Sequence, residues 1–191
     1  APGTLVTDLG SIKGTLADTL PGLLPEGVHY VGAHPMAGGH QRGASHARED
    51  LFEGAPCVIS SRPSVPSEAV DRVARFWTSL GADIIFRSPE DHDREVAWVS
   101  HVPHALAFAY AHALQKAPAA AMALAGTGFD DFTRIARSDS AMWSEILNIN
   151  RKAVSGALQS VGQSLSELGH AIESGDQPAQ ETFLAQGCDA L

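Results

Sequence analysis

The chain has 191 residues, with 13 basic against 22 acidic side chains for a net charge of −9, and 44% of it is hydrophobic. That length builds one large domain or two small ones with cores of their own, and the negative balance argues against nucleic acid or an anionic membrane as a partner. Two cysteines, Cys57 and Cys188, make no disulfide framework and suit a reducing cytoplasm, and no apolar stretch is long enough to span a bilayer.

Thr4 to Asp8 is a short β-rich run, and after Gly10 the hydroxyl of Ser11 is placed to cap a helix over about Ile12 to Leu20. Pro21, Gly22 and Pro25 end that helix. Val28 to Ala33 is the next strand; it delivers His34, where Pro35 stops it and Gly38, Gly39 and Gly43 allow a loop. Ala44 to Glu53 reads as a short helix or turn, and Pro56 to Ser60 as another strand. Pro63 and Pro66 bracket a linker, and Ser67 caps a helix over about Glu68 to Leu80. Its residues Val70, Val73, Phe76, Trp77 and Leu80 share one face and are expected to pack on the sheet. Gly81 ends it and Asp83 to Arg87 is the last strand. Strand, helix, strand with a polar tip after each strand is the closing part of a parallel α/β sheet. Such strands need earlier partners, and the chain opens almost directly into one. Upstream residues are therefore expected.

The character changes at Pro89, so the chain divides into residues 1–89 and an all-helical 90–191. Glu90 to Lys116 reads as one long helix, apolar nearly all round and hence buried in a core or a subunit interface. Pro103 in its middle removes a donor and clashes with the carbonyl of Val99, which predicts a kink flanked by His101 and His104. Ala117 to Ala125 is a further helix; Asp139 caps one from Ser140; Arg151 to Glu173 is the last, and the polar tail from Gly175 is expected to be loosely held.

Several constellations carry chemistry. His34, at a strand tip before a Gly-rich loop, stands where an open α/β sheet presents its chemistry, or is simply a capping histidine. Paired with Arg134, it supports a reading in which a neutral imidazole accepts a hydroxyl proton and a guanidinium grips a carboxylate. Against this, Arg134 and Arg137 could each form a surface ion pair with Asp130 or Asp131, and Trp143 is most simply core. His101 and His104, with His34 or Asp93, could ligate a metal, but no HExxH or cysteine pattern supports it and no metal is expected. Ser11 lacks a GxSxG context for a nucleophile.

Four stretches together resemble the prephenate/arogenate dehydrogenases of tyrosine biosynthesis: VTDLGSIK (Val6 to Lys13), GAHPMAGG (Gly32 to Gly39) followed by LFEGAP, HDREVAWVSHVPHALA (His92 to Ala107) and DFTRIARSDSAMW (Asp131 to Trp143). The resemblance implies the remainder of a Rossmann-like domain joined to a helical domain that forms a homodimer. It implies NAD- or NADP-dependent oxidative decarboxylation of prephenate or arogenate. In that scheme His34 accepts the hydroxyl proton and Ser11 orients it and the nicotinamide. Asp8 and Pro35 lie at the cofactor, Arg134 binds a carboxylate, His101 and His104 line the pocket, and Asp93 and Trp143 support it. The chain holds no GxGxxG, so pyrophosphate binding falls outside it. Some family members carry an acid where His40 stands and a lysine where Asp130 stands; here the polarity is reversed, and the two are expected to pair and gate the pocket. The alternative function is a truncated, non-catalytic dimer that binds an aromatic or prephenate-like ligand.

Overall fold

The computed structural model describes residue 1, residues 3–38 and residues 43–191. Strand β1 (Leu5–Val6) runs parallel to β2 (His29–Tyr30), and the Val31 amide donates to the Val6 carbonyl at 2.9 Å. After that single residue the chain continues as β3 (Gly32–Pro35). β3 pairs with β4 (Pro56–Ser60), and β4 with β5 (Asp83–Arg87). Two sequence expectations change here. Pro35 belongs to the strand, opposite Cys57, and His34 lies within it opposite Val58. The β3–β4 pair is antiparallel while β4–β5 is parallel, so the sheet is mixed. An antiparallel strand on a parallel sheet is common in α/β folds, and which way a strand runs depends on distant pairing rather than on local pattern.

Helix α1 (Gly14–Thr19) is shorter than expected and Ser11 does not cap it; the Asp93 carboxylate accepts from the Lys13 and Gly14 amides at 2.8 and 2.9 Å instead. Helix α2 (Ser67–Ser79) packs on the sheet, but Ser67 is its first residue and makes no side-chain cap; Pro66 precedes it. Its buried stripe is Ala69, Val73 and Trp77, at four-residue spacing, against Val31, Ala33, Cys57, Ile59 and Ala82. Phe76 and Leu80 are exposed, contrary to expectation. Phe52 meets the Trp77 ring edge-on at 5.1 Å and narrows the covered arc, leaving Phe76 on the outer flank.

The helical half begins with strong local signals. Ser88 caps α3 (Pro89–Val96) by accepting from the Asp91 amide at 3.1 Å, Pro89 takes the first turn, and Glu90 and Asp91 favour its positive end. The expected long helix is interrupted by a π-helical turn at Ala97–His101, where the Val102 amide reaches back to the Ala97 carbonyl, before α4 (Val102–Ala113). Pro103 supplies the cause: it has no amide for the Val99 carbonyl, and one extra residue in the turn relieves the clash.

Ala119–Leu124 forms a 3-10 segment, then come α5 (Thr127–Thr133), a 3-10 turn at Arg134–Arg137, and α6 (Ser140–Ile149), capped as expected by Asp139. Val154 and Ala157 of α7 (Arg151–Glu173) form a second core with Ala97 and Val102. The tail is ordered as α8 (Gln177–Asp189), contrary to expectation. Gly175, at φ 69°, closes α7: its amide bonds Ile172 and the next amide bonds Ala171, which satisfies two terminal carbonyls. Asp176 then caps α8, with Pro178 in the first turn.

Candidate active site

The end of β3 and the segment after it face the helical half across a cleft of about 320 Å³. His34 to Gly38 form one wall, Ser100 and His104 of the π turn and α4 a second, and Arg134, Ile135, Ser138, Met142 and Trp143 the third. The π turn is what sets the second wall. It leaves His101 fully buried, with its Nδ1 accepting from Asn150 Nδ2 at 3.1 Å, while His104 faces the cleft. His104 stacks on Trp143 with centroids 3.7 Å apart, and its Nδ1 donates to the Ser100 carbonyl at 2.9 Å. His101 meets the same indole edge-on at 6.0 Å.

Beneath His34 lies a continuous polar network. Its Nδ1 is 2.8 Å from Nε2 of His92, and His92 Nδ1 is 2.8 Å from the Asp93 carboxylate. Asn150 Nδ2 also donates to the Asp93 carbonyl at 2.7 Å, tying the start of α7 to α3. On the other side Asp8 takes four donors: the Lys13 ammonium, the Tyr30 hydroxyl at 2.8 Å, and the Gly10 and Ala33 amides at 2.9 and 3.1 Å. Lys13, buried, also donates to the Ala33 carbonyl at 2.8 Å. The residue before His34 is thus fixed at both its amide and its carbonyl.

Burial, with His92, Lys13 and His101 nearby, pushes His34 down to about 3, and burial takes His101 to about 4. Both are neutral at pH 7, so His34 carries a lone pair there without titrating near neutrality, as the residue type alone would suggest. Burial lowers His104 as well. Burial works to raise Asp93, but hydrogen bonds from His92 and from the Lys13 and Gly14 amides hold it below the ordinary carboxylate range. Burial lowers the Lys13 ammonium against the pull of Asp8, and raises the Tyr30 hydroxyl beside that same carboxylate.

Of the residues singled out from sequence, His34, Pro35, His104, Arg134 and Trp143 meet at the cleft. Arg134 forms no ion pair among the described residues; the surface pair falls instead to Arg137 and Asp130, 4.0 Å apart and both exposed. Asp8 and His101 lie behind the walls, and Ser11 sits at the loop before α1, outside the cleft lining. His40 lies outside the described residues. Sequence reasoning passed over His92, Lys13, Tyr30, Ser100 and Asn150. The His92–Asp93 pair just inside a capped helix was a visible signal, but its partner on β3 was not. Among the described residues no cluster of three or more histidine, cysteine or acidic side chains is placed to hold a metal ion.

Family models give this arrangement its context. Residues 1–86 match the prephenate dehydrogenase nucleotide-binding domain and residues 88–186 the prephenate dehydrogenase dimerization domain. The chain is 36% identical to prephenate dehydrogenase of Bacillus subtilis over 78% of its length and 41% of that protein. It is 33% identical to prephenate dehydrogenase of Lactococcus lactis over 97% and 51%, and 30% identical to cyclohexadienyl dehydrogenase of Zymomonas mobilis over 90% and 60%. It therefore spans about half the length of the curated relatives it matches. The crystal structure of Aquifex aeolicus prephenate dehydrogenase with hydroxyphenyl propionate and NAD+ superposes with a TM-score of 0.88 at 32% identity, covering 97% of this chain and 65% of that one. Arogenate dehydrogenase from Synechocystis gives 0.84 at 28% identity, over 100% and 69%. By sequence along nearly its whole length and by fold, the chain belongs to the prephenate dehydrogenase family.

Proposed function

We propose that this chain is the catalytic and dimer-forming portion of a cytoplasmic NAD(P)-dependent dehydrogenase that oxidatively decarboxylates prephenate or arogenate. The observation that carries the reading is the pairing of a neutral His34 with Arg134 across one cleft. The relative from Aquifex aeolicus holds NAD+ and hydroxyphenyl propionate. The residues present suit the nicotinamide end of such a cofactor. The chain leaves the carboxyl end of β1, in the parallel β1–β2 pair, through Asp8, Gly10 and a partly exposed Ser11, and the Asp8 carboxylate ties the Gly10 amide to that of Ala33, the residue before His34. When bound, the oxidised nicotinamide accepts a hydride.

The chain's own residues do the rest. Arg134, with no ion pair among the described residues of this acidic protein, binds a substrate carboxylate. His34 accepts the hydroxyl proton as hydride leaves the carbon that bears it. The ring carboxylate departs as carbon dioxide, its bonding pair enters the ring, and the proton returns to the oxygen as a phenol. Trp143, held by His104, forms an apolar wall against the ring. Ser11 orients the nicotinamide and substrate, with Asp8 and Pro35 shaping that end, and His101 backs the pocket. Whether His40 and Asp130 act together on the pocket is read by a double-mutant cycle, in which coupling supports a gate and its absence rejects one.

The division at Pro89 belongs to the same reading: the last strand ends at Arg87, and from Pro89 onward the chain is helical with no further strand among the described residues. Trp98, Val99, Tyr110, Leu124, Leu165 and Ile172 leave large apolar side chains exposed on the helical half, which supports a second copy as its cover. The test is reduced-nicotinamide formation by the intact polypeptide from prephenate and from arogenate. Turnover of either supports the reading; saturable ligand binding with no turnover supports the non-catalytic alternative.

A further inference from the structure

The proposed reaction needs a lone pair on the cleft-facing nitrogen of His34, and a neutral imidazole has only one. Which nitrogen holds it is decided two residues away. The Asp93 carboxylate, accepting from two backbone amides, accepts from His92 as well, so His92 Nδ1 bears a proton. His92 Nε2 then has the lone pair of a neutral ring. Facing it at 2.8 Å, His34 Nδ1 must donate. His34 Nε2 is left without a proton and without a protein partner among the described residues, on a side chain that lines the cleft.

We propose that His92 is a positioning residue that fixes the tautomer of His34, with Asp93 fixing that of His92, so that His34 Nε2 faces the substrate hydroxyl as an acceptor. This rests on the dehydrogenase reading above. When the hydroxyl proton moves to Nε2, His34 becomes an imidazolium whose Nδ1–H already points at His92, and the new charge is shared along the chain toward Asp93. The proton goes back to the oxygen as the ring becomes aromatic, and His34 ends neutral. The groups facing His34 besides His92 are Lys13, His101 and Asp8. Lys13 and Asp8 are paired with each other, and His101 is neutral, so Asp93 is the anion at the end of the chain of rings.

The experiment is nitrogen-15 NMR of the imidazole rings in the intact polypeptide without substrate, together with steady-state kinetics of His92→Ala and His92→Gln. The expected wild-type spectrum shows His34 protonated at Nδ1 and unprotonated at Nε2. His92→Ala should move the His34 proton to Nε2 and lower kcat by roughly 10²-fold, with KM changed by less than about threefold. His92→Gln, whose carbonyl can accept from His34 Nδ1, should keep the tautomer and recover most of kcat. A wild-type His34 carrying its proton on Nε2, or a His92→Gln variant as slow as His92→Ala, would overturn the proposal. Absence of wild-type turnover on either substrate would sink the dehydrogenase reading instead, while the wild-type spectrum still decides the tautomer.

Discussion

His34 is held on three sides: its strand by the Asp8 and Lys13 bonds to Ala33, its ring by His92, its charge state by burial. Asparagine in its place keeps a similar size but cannot take up a proton. His34→Asn should lower kcat by roughly 10²-fold or more, the usual scale of a lost general base; a near-normal kcat in initial-rate assays would make His34 structural. Arg134 acts differently, because a carboxylate anchor is made in the ground state too. Arg134→Ala should mainly raise KM. His34 and Arg134 were legible in the sequence because their residue types suit the chemistry and sit within recognisable stretches. His92 was not, since its meaning depends on the fold carrying β3 onto α3, 58 positions along the chain.

Among the elements, the junction of α1 with α3 has the least slack. The Asp93 carboxylate reaches across 79 positions to the Gly14 amide, and a β-carbon at Gly14 would stand 2.9 Å from that oxygen. Moving the carboxylate aside would break its bonds to Lys13 and His92. Gly14→Ala should therefore destabilise the protein by about 1–3 kcal/mol in urea unfolding, and an unchanged midpoint would show that Asp93 yields freely. The same junction explains why Ser11 looked like a cap in the sequence. A local rule assigns the nearest hydroxyl, and a distant carboxylate took the donors. Strands β4 and β5 and helices α2, α6 and α7 were readable because periodicity and caps are local; the antiparallel β3–β4 pairing is not. Helix α8 could have been found from Gly175, Asp176 and Pro178, a stop, a cap and a first-turn proline that a polar composition obscured.

Over the whole molecule, two cores, one under α2 and one around the π turn, are joined through Asp93 and Asn150. That joint rests on groups that must stay neutral or paired. His34 and His101 are pushed from 6.5 to about 3 and about 4, so in the window between those values and 6.5 the unfolded chain binds more protons than the native one. Stability should thus be level with respect to these groups above pH 6.5 and fall as the pH is lowered from there toward 4. Urea midpoints across that range check it, and a flat profile would contradict the buried neutral rings.

The most direct test of the central claim, one site built from His34 and Arg134, is the initial rate of reduced-nicotinamide formation by the intact polypeptide against substrate concentration, for wild type, His34→Asn and Arg134→Ala. The expected result is turnover of prephenate or arogenate in which the first variant loses kcat and the second raises KM. Turnover that survives both substitutions with its constants unchanged would place the chemistry elsewhere.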